Sequence, residues 1–261
     1  MRSAQVARVA ALLLLVACAG EAVAPTPEPL VPVTKREDPR PLRVLFVGNS
    51  LTFYNDLPTR TAEIAVPDTT LRVPDMQSVV RSSTSLRQHW FLGTAQQRLQ
   101  TGHWDYVVLQ EGSGSILDTP ETTEVYVAKF DSLARIAGAR TALFLTWTYG
   151  DAPQLQDSVT RVYVRIAQRV GTLVAPVGIA WQQALQQQPA LPLYYPDLIH
   201  PAPVGTYLAA CTMFAALYRR TPVGRAGLVA FGDTSSVSLD SATALLLQTT
   251  AWQVTQPYIA R

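Results

Sequence analysis

The chain has 261 residues, 48% of them hydrophobic and 15% charged, so it can bury a sizeable core and is not disordered as a whole. Its formal charge is only +2 and falls to zero without Arg2 and Arg8, so we expect no nucleic-acid partner. The two cysteines, Cys18 and Cys211, provide no disulfide framework.

The amino-terminal residues have the pattern of a secretory signal. Arg2 and Arg8 precede an apolar run at residues 9–17 that is too short to cross a bilayer. Small residues and then a proline-rich stretch follow, which favours an extended tether over a packed helix. We therefore predict a signal peptide at residues 1–17, a tether at 18–41 and one domain at 42–261.

Short apolar runs alternate with helical patterns along the rest of the chain. Strands are predicted at residues 43–48, 71–80 (a weaker candidate, interrupted by Pro74), 105–109, 141–146 and 172–176. Helices are predicted at residues 85–100, 121–137, 155–170, 179–188, 204–218 and 241–254. This alternation is typical of an α/β domain in which helices cover both faces of a parallel sheet.

Polar residues stand where such a sheet binds ligands, beyond the carboxyl ends of its strands. Ser50 follows the first strand, and Asp197 lies three residues before His200 in a loop flanked by prolines. A carboxylate can orient an imidazole, which can in turn activate a serine, so the three residues could form a catalytic triad. Each signal is weak alone, because a serine after a strand is more often part of a turn, and an Asp-x-x-His loop is more often a solvated pair.

Two sequence blocks resemble those of the SGNH (GDSL-type) hydrolases. Gly-Asn-Ser-Leu at residues 48–51 is similar to their first block, and Asp-Leu-Ile-His-Pro at 197–201 to their last. The resemblance implies a three-layer, flavodoxin-like α/β/α fold with five parallel strands in the order 2-1-3-4-5. It also implies ester hydrolysis through an acyl-enzyme, without a cofactor, with Ser50 as nucleophile, His200 as base and Asp197 as its orienting carboxylate.

The same resemblance implies donors for the oxyanion, and here the chain departs from the family pattern. Ser83 stands nearest to the expected glycine of the second block, and its backbone N–H could still donate. The asparagine of the third block is absent, so Gln110 is the expected amide donor, with Ser113 or a backbone N–H of the glycine-rich loop as alternatives. Asn49 is expected to shape the turn beside Ser50.

Other histidine, acidic and aromatic residues could serve either the chemistry of the site or the structure alone. His89 is expected to pack in the interior, His103 to lie at the opposite edge of the sheet, and Glu111 is a buried carboxylate without an identifiable partner. Four aromatic residues could line the cleft, namely Trp147, Tyr149, Tyr194 and Tyr195. No set of metal ligands with a familiar spacing is visible.

Leu-Val-Ala-Cys at residues 15–18 resembles the lipobox of bacterial lipoproteins. That resemblance implies a lipid anchor on Cys18, a place in the bacterial cell envelope and, with Ala19 next, the outer membrane. The expected function is a serine esterase that removes short acyl groups, such as acetyl, from carbohydrate. Two alternatives stay open: an O-acyltransferase that uses the same residues, and a carbohydrate-binding lipoprotein whose catalytic site has decayed.

Overall fold

The computed structural model describes residues 33–35, 37–230 and 236–259. The predicted signal peptide and Cys18 lie outside these residues. In chain order the elements are β1 (Leu42–Gly48), α1 (Ser50–Phe53), α2 (Leu57–Ala65), β2 (Pro74–Val80), α3 (Leu86–Leu92), α4 (Thr94–Thr101), β3 (Tyr106–Leu109), α5 (Ser113–Asp118), α6 (Pro120–Ile136), β4 (Arg140–Phe144), α7 (Gln156–Val170), β5 (Leu173–Ala175), α8 (Val177–Gln187), α9 (Pro203–Tyr218), β6 (Leu228–Ala230), β7 (Ser236–Ser238) and α10 (Ser241–Ile259).

Five parallel strands form one sheet in the order β2-β1-β3-β4-β5, which confirms the predicted topology. Because successive side chains of a strand point to opposite faces, β1 feeds two cores. Val44 and Phe46 pack among α2, α8, α9 and α10 on one face. Leu45 and Val47 pack among α3, α4, α6 and α7 on the other. The three-layer α/β/α architecture follows from this alternation.

Local backbone chemistry accounts for two differences from the sequence prediction. The helix expected at residues 85–100 is two helices, α3 and α4, because Gly93 between them has a left-handed φ of +76°. The strand expected at 71–80 begins only at Pro74, which has no N–H for the ladder and stands at the start of an edge strand. The short helices α1, α2 and α5 and the β6–β7 hairpin were not predicted.

The segment before β1 packs on the domain at the edge where the strands begin. The N–H of Val33 donates to the carbonyl of Tyr218 at 3.1 Å, and Thr34 pairs with Leu71 in an isolated bridge. Part of the stretch predicted as a tether therefore contacts the domain. No helix in the described ranges combines the length and the apolar character that crossing a membrane requires.

Candidate active site

A cleft of about 530 Å³ opens at the carboxyl ends of the central strands. It brings together the segments that follow β1, β2, β3 and β4 with the loop that contains His200. Its walls include both Ser50 and His200, which are far apart in sequence. The remaining lining is dominated by small and hydroxyl side chains, at residues 82–85 and 112–115.

The carboxylate of Asp197 holds the imidazole of His200. Its Oδ2 lies 2.7 Å from Nδ1 of His200, and its Oδ1 accepts the backbone N–H groups of Ile199 and His200 at 2.9 Å each. The bond from His200 and these two N–H groups lower the pKa of Asp197 to about 2. An ionised carboxylate only accepts hydrogen bonds, so Nδ1 carries the proton and Nε2 is the ring nitrogen free to take another.

Neighbouring side chains fix the position of the His200 loop. The ring of Tyr54 stacks on the imidazole with centroids 4.0 Å apart and planes at 15°. Nε1 of Trp147 donates to the carbonyl of Ile199 at 3.0 Å, and the N–H of Tyr195 donates to the carbonyl of His200 at 2.9 Å. One face of the imidazole is therefore held by the Tyr54 ring, and the backbone of the His200 loop is held by hydrogen bonds.

Asn55 ties the segment after Ser50 directly to the His200 loop. Its Nδ2 donates to the carbonyl of Pro201 and to Oγ1 of Thr206, both at 2.8 Å, and its Oδ1 accepts the hydroxyl of Tyr195 at 3.3 Å. Its backbone is left-handed, with φ of +52°. Sequence reasoning missed both Tyr54 and Asn55, and the only available signal was their nearness to Ser50 in the chain.

The turn before Ser50 is built by Asn49 and Gln110. Oδ1 of Asn49 caps α1 by accepting the N–H of Leu51 at 3.2 Å, so Asn49 shapes the turn as expected. Oε1 of Gln110 accepts the N–H of Asn49 at 2.7 Å and the hydroxyl of Thr52 at 2.9 Å. Gly48 is required here, because a Cβ on it would lie 2.5 Å from Oε1 of Gln110.

This location does not match the donor role expected for Gln110. Its side chain is fully buried beneath the turn and does not line the cleft. Since two donors fix its amide oxygen, the amide nitrogen points away from them and has no hydrogen-bond partner among the described residues. Gln110 supports the serine turn from below.

The other two expected oxyanion residues do line the cleft. Ser83 is exposed and has a left-handed φ of +53°, a conformation that favours glycine and therefore fits its alignment with the family's glycine. Ser113 is buried, and its hydroxyl donates to the carbonyl of Trp147 and lies 3.1 Å from Oγ1 of Thr146. The Ser113 hydroxyl is thus used to join two loops of the cleft.

The histidines and the carboxylate outside the predicted triad have structural partners or lie elsewhere. Nε2 of His89 donates to the carbonyl of Gly48 at 2.8 Å, and burial lowers the pKa of His89. Glu111 accepts the N–H groups of Leu86 and Gly112 at 3.1 and 2.9 Å, and burial raises its pKa. His103 precedes β3, at the edge of the sheet opposite the cleft.

Of the four aromatic residues expected in the cleft, Tyr149 lines it. Trp147 is buried and stacks on Trp181 at 4.2 Å, and the hydroxyl of Tyr194 donates to a backbone carbonyl. Tyr195 packs edge-on against Tyr54. Within the described ranges, no cluster of three His, Cys, Asp or Glu side chains is arranged to hold a metal ion.

No model of a known protein family matches the sequence. No curated protein matches it either. Among solved structures, a protein from Slackia heliotrinireducens described as a candidate SGNH hydrolase is 27% identical over 68% of this chain and 100% of its own, with a TM-score of 0.59. A DUF4886 family protein from Bacteroides uniformis ATCC 8492 is 18% identical over 84% of this chain and 96% of its own, with a TM-score of 0.63. The acetyl xylan esterase AlAXEase is 11% identical over 66% of this chain and 98% of its own, with a TM-score of 0.56.

Proposed function

Because the chain belongs to the SGNH (GDSL-type) hydrolase superfamily, we propose that it is a serine esterase that removes short acyl groups, above all acetyl, from carbohydrate. One observation carries the proposal. The carboxylate of Asp197 lies 2.7 Å from Nδ1 of His200, and His200 shares a cleft with Ser50. This arrangement supports Ser50 as the nucleophile, His200 as the base and Asp197 as the orienting carboxylate.

The reaction would proceed through an acyl-enzyme. Oγ of Ser50 attacks the ester carbonyl while Nε2 of His200 takes the hydroxyl proton, and Asp197 stabilises the imidazolium that forms. His200 then gives this proton to the leaving alcohol. A water molecule, activated by the same imidazole, attacks the acyl-enzyme, and the acid is released as Ser50 regains its proton.

The oxyanion needs donors that are already oriented before the reaction. We assign this role to the backbone N–H groups of Ser50 and Ser83, since Gln110 lies beneath the turn. The left-handed φ of Ser83 is one that favours glycine, the residue that the family resemblance implies there, which supports the assignment. One well-placed donor stabilises such a transition state by roughly 3–4 kcal/mol.

The lining of the cleft supports a polar substrate. Hydroxyl and glycine residues at 82–85 and 112–115 offer hydrogen-bond donors and acceptors, whereas a long acyl chain would need an apolar channel. One structurally similar protein is named an acetyl xylan esterase.

Hydrolysis of p-nitrophenyl acetate by the full-length chain tests the proposal. We expect Ser50→Ala and His200→Ala to lower kcat/KM by about 10³-fold or more, because the triad acts as a unit. Ser132→Ala on α6 and His103→Ala are the matched controls, and both residues are exposed and away from the cleft. Equal rates for the wild type and Ser50→Ala would reject the esterase. A stable acyl-enzyme that water does not release would instead indicate a transferase.

A further inference from the structure

A second groove of about 610 Å³ adjoins the cleft. We call it the arginine groove, and it is lined by residues 81–84, by Arg87 and Gln88 and by Phe91 and its neighbour. Five of these residues, including Ser83 and Arg87, also line the cleft, so the two spaces are continuous. A substrate bound at Ser50 can therefore extend into the arginine groove.

The arginine groove is positively charged without compensation. Arg81 and Arg87 form no ion pair within the described ranges, whereas the buried Arg72 pairs with Asp105 at 2.9 Å. Neither the groove nor the cleft is lined by an aspartate or a glutamate from the described residues. The two guanidinium groups therefore face a space that holds no anion from the chain itself.

The groove also has an aromatic wall. Phe91 is 71% exposed, and the guanidinium of Arg87 lies over its ring, 5.8 Å from the ring centroid. An exposed ring face suits the apolar face of a sugar, and the exposed hydroxyl of Ser82 suits its polar rim. An aromatic surface beside two unpaired cations fits an acidic sugar better than a neutral one.

We propose that the arginine groove binds a negatively charged group on the alcohol part of the ester, so that the substrate is an acylated acidic carbohydrate. The inference rests on the proposed esterase function. Since a short acyl group ends beside Ser50, only the alcohol part of the ester reaches Arg81 and Arg87. Guanidinium groups bind carboxylate, sulfate and phosphate oxygens in paired hydrogen bonds.

The test compares two acetyl esters that differ in one carboxylate, mono-acetylated methyl glucuronide and mono-acetylated methyl glucoside. Released acetate gives kcat/KM for each with the full-length chain at low salt. We expect the wild type to prefer the glucuronide by about fivefold to tenfold, as one or two exposed ion pairs allow. Raising the salt concentration should weaken this preference, because exposed charges are screened.

The ratio of kcat/KM for the glucuronide to kcat/KM for the glucoside shows which arginines bind the carboxylate. Arg81→Gln and Arg87→Gln should each lower it, and the double variant should bring it close to one. Arg165→Gln removes the same charge from an exposed site on α7 and should leave the ratio unchanged. A ratio of one in the wild type, or an unchanged ratio in the double variant, would overturn the groove proposal and leave the esterase intact.

Failure of the esterase itself gives a different result, in which neither ester is hydrolysed. The groove is then tested by equilibrium binding of methyl glucuronide and methyl glucoside to the wild type and the double variant. Tighter binding of the glucuronide that the double variant loses supports the groove. Equal binding of the two sugars overturns it.

Discussion

The stack of Tyr54 on His200 sets the plane of the imidazole. Asp197 fixes one ring nitrogen, but a single hydrogen bond leaves the ring free to rock about it. The phenol ring of Tyr54 lies against one face of the imidazole, with the centroids 4.0 Å apart, and blocks rotation of the imidazole toward that side. Tyr54 is therefore a positioning residue for the proposed base, and it acts through contact of the rings rather than through its hydroxyl.

Tyr54→Ala should lower kcat/KM for p-nitrophenyl acetate by about tenfold, because an aromatic pair contributes about 0.5–1.5 kcal/mol beyond its buried area. Tyr54→Phe keeps the ring and should stay within about twofold of the wild type. Steady-state kinetics of both variants checks this. If Tyr54→Phe were as slow as Tyr54→Ala, the hydroxyl and not the stack would be responsible.

At the scale of single residues, the sequence predicts those functional residues that belong to a recognisable motif. Ser50, Asp197 and His200 were predicted in this way, and their roles stay predictions although Ser50 and His200 line one cleft and Asp197 contacts His200. Gln110 shows what residue type alone does not predict. Residue type predicted an amide donor, but the direction of an amide depends on which backbone donors reach its oxygen, and that requires the fold.

At the scale of elements, the strands were predicted best because continuous apolar runs are demanded by burial on both faces of the sheet. The positions at which helices are interrupted or begin were predicted less well. The spacing predicts one helix that includes Gly93, yet the left-handed backbone of Gly93 separates α3 from α4. The short helix α1 has four residues, too few for a periodic pattern, and its start depends on the Asn49 cap.

Asn55 joins two elements of the site, and its side chain can be separated from its backbone. Asn55→Gly permits the φ of +52° but loses the hydrogen bonds to the His200 loop. We expect it to lower the free energy of unfolding by about 2 kcal/mol and to lower kcat/KM. Asn55→Ala should cost about 1 kcal/mol more, because alanine is strained at positive φ.

Urea denaturation and steady-state kinetics measure both effects. A glycine variant with wild-type stability and rate would mean that other contacts, such as the Tyr54 stack, hold the His200 loop without Asn55.

At the scale of the whole molecule, His89 makes stability depend on pH. Burial lowers its pKa below the ordinary 6.5, so the unfolded chain binds a proton that the folded chain rejects. Its contribution to stability is therefore present above about pH 6.5 and declines as the pH falls toward the folded pKa. The slope from one such group is at most about 1.4 kcal/mol per pH unit.

His89→Gln retains a donor for the carbonyl of Gly48 but cannot titrate. Thermal unfolding between pH 5 and 7 should show the wild type losing stability faster than His89→Gln as the pH falls. His103→Gln, which removes an exposed histidine, should follow the wild type. Parallel curves for the wild type and His89→Gln would contradict the prediction.

The contacts of Val33 and Thr34 lie at the end of the domain opposite the cleft. They attach the chain where β1 begins, and the cleft opens where β1 ends. β1 has seven residues, so roughly 20 Å separates the two poles. If the predicted lipid on Cys18 holds the chain, the attachment would enter the domain at the pole opposite Ser50 and the arginine groove. The cleft would then stay open to a substrate that approaches from the side opposite the attachment.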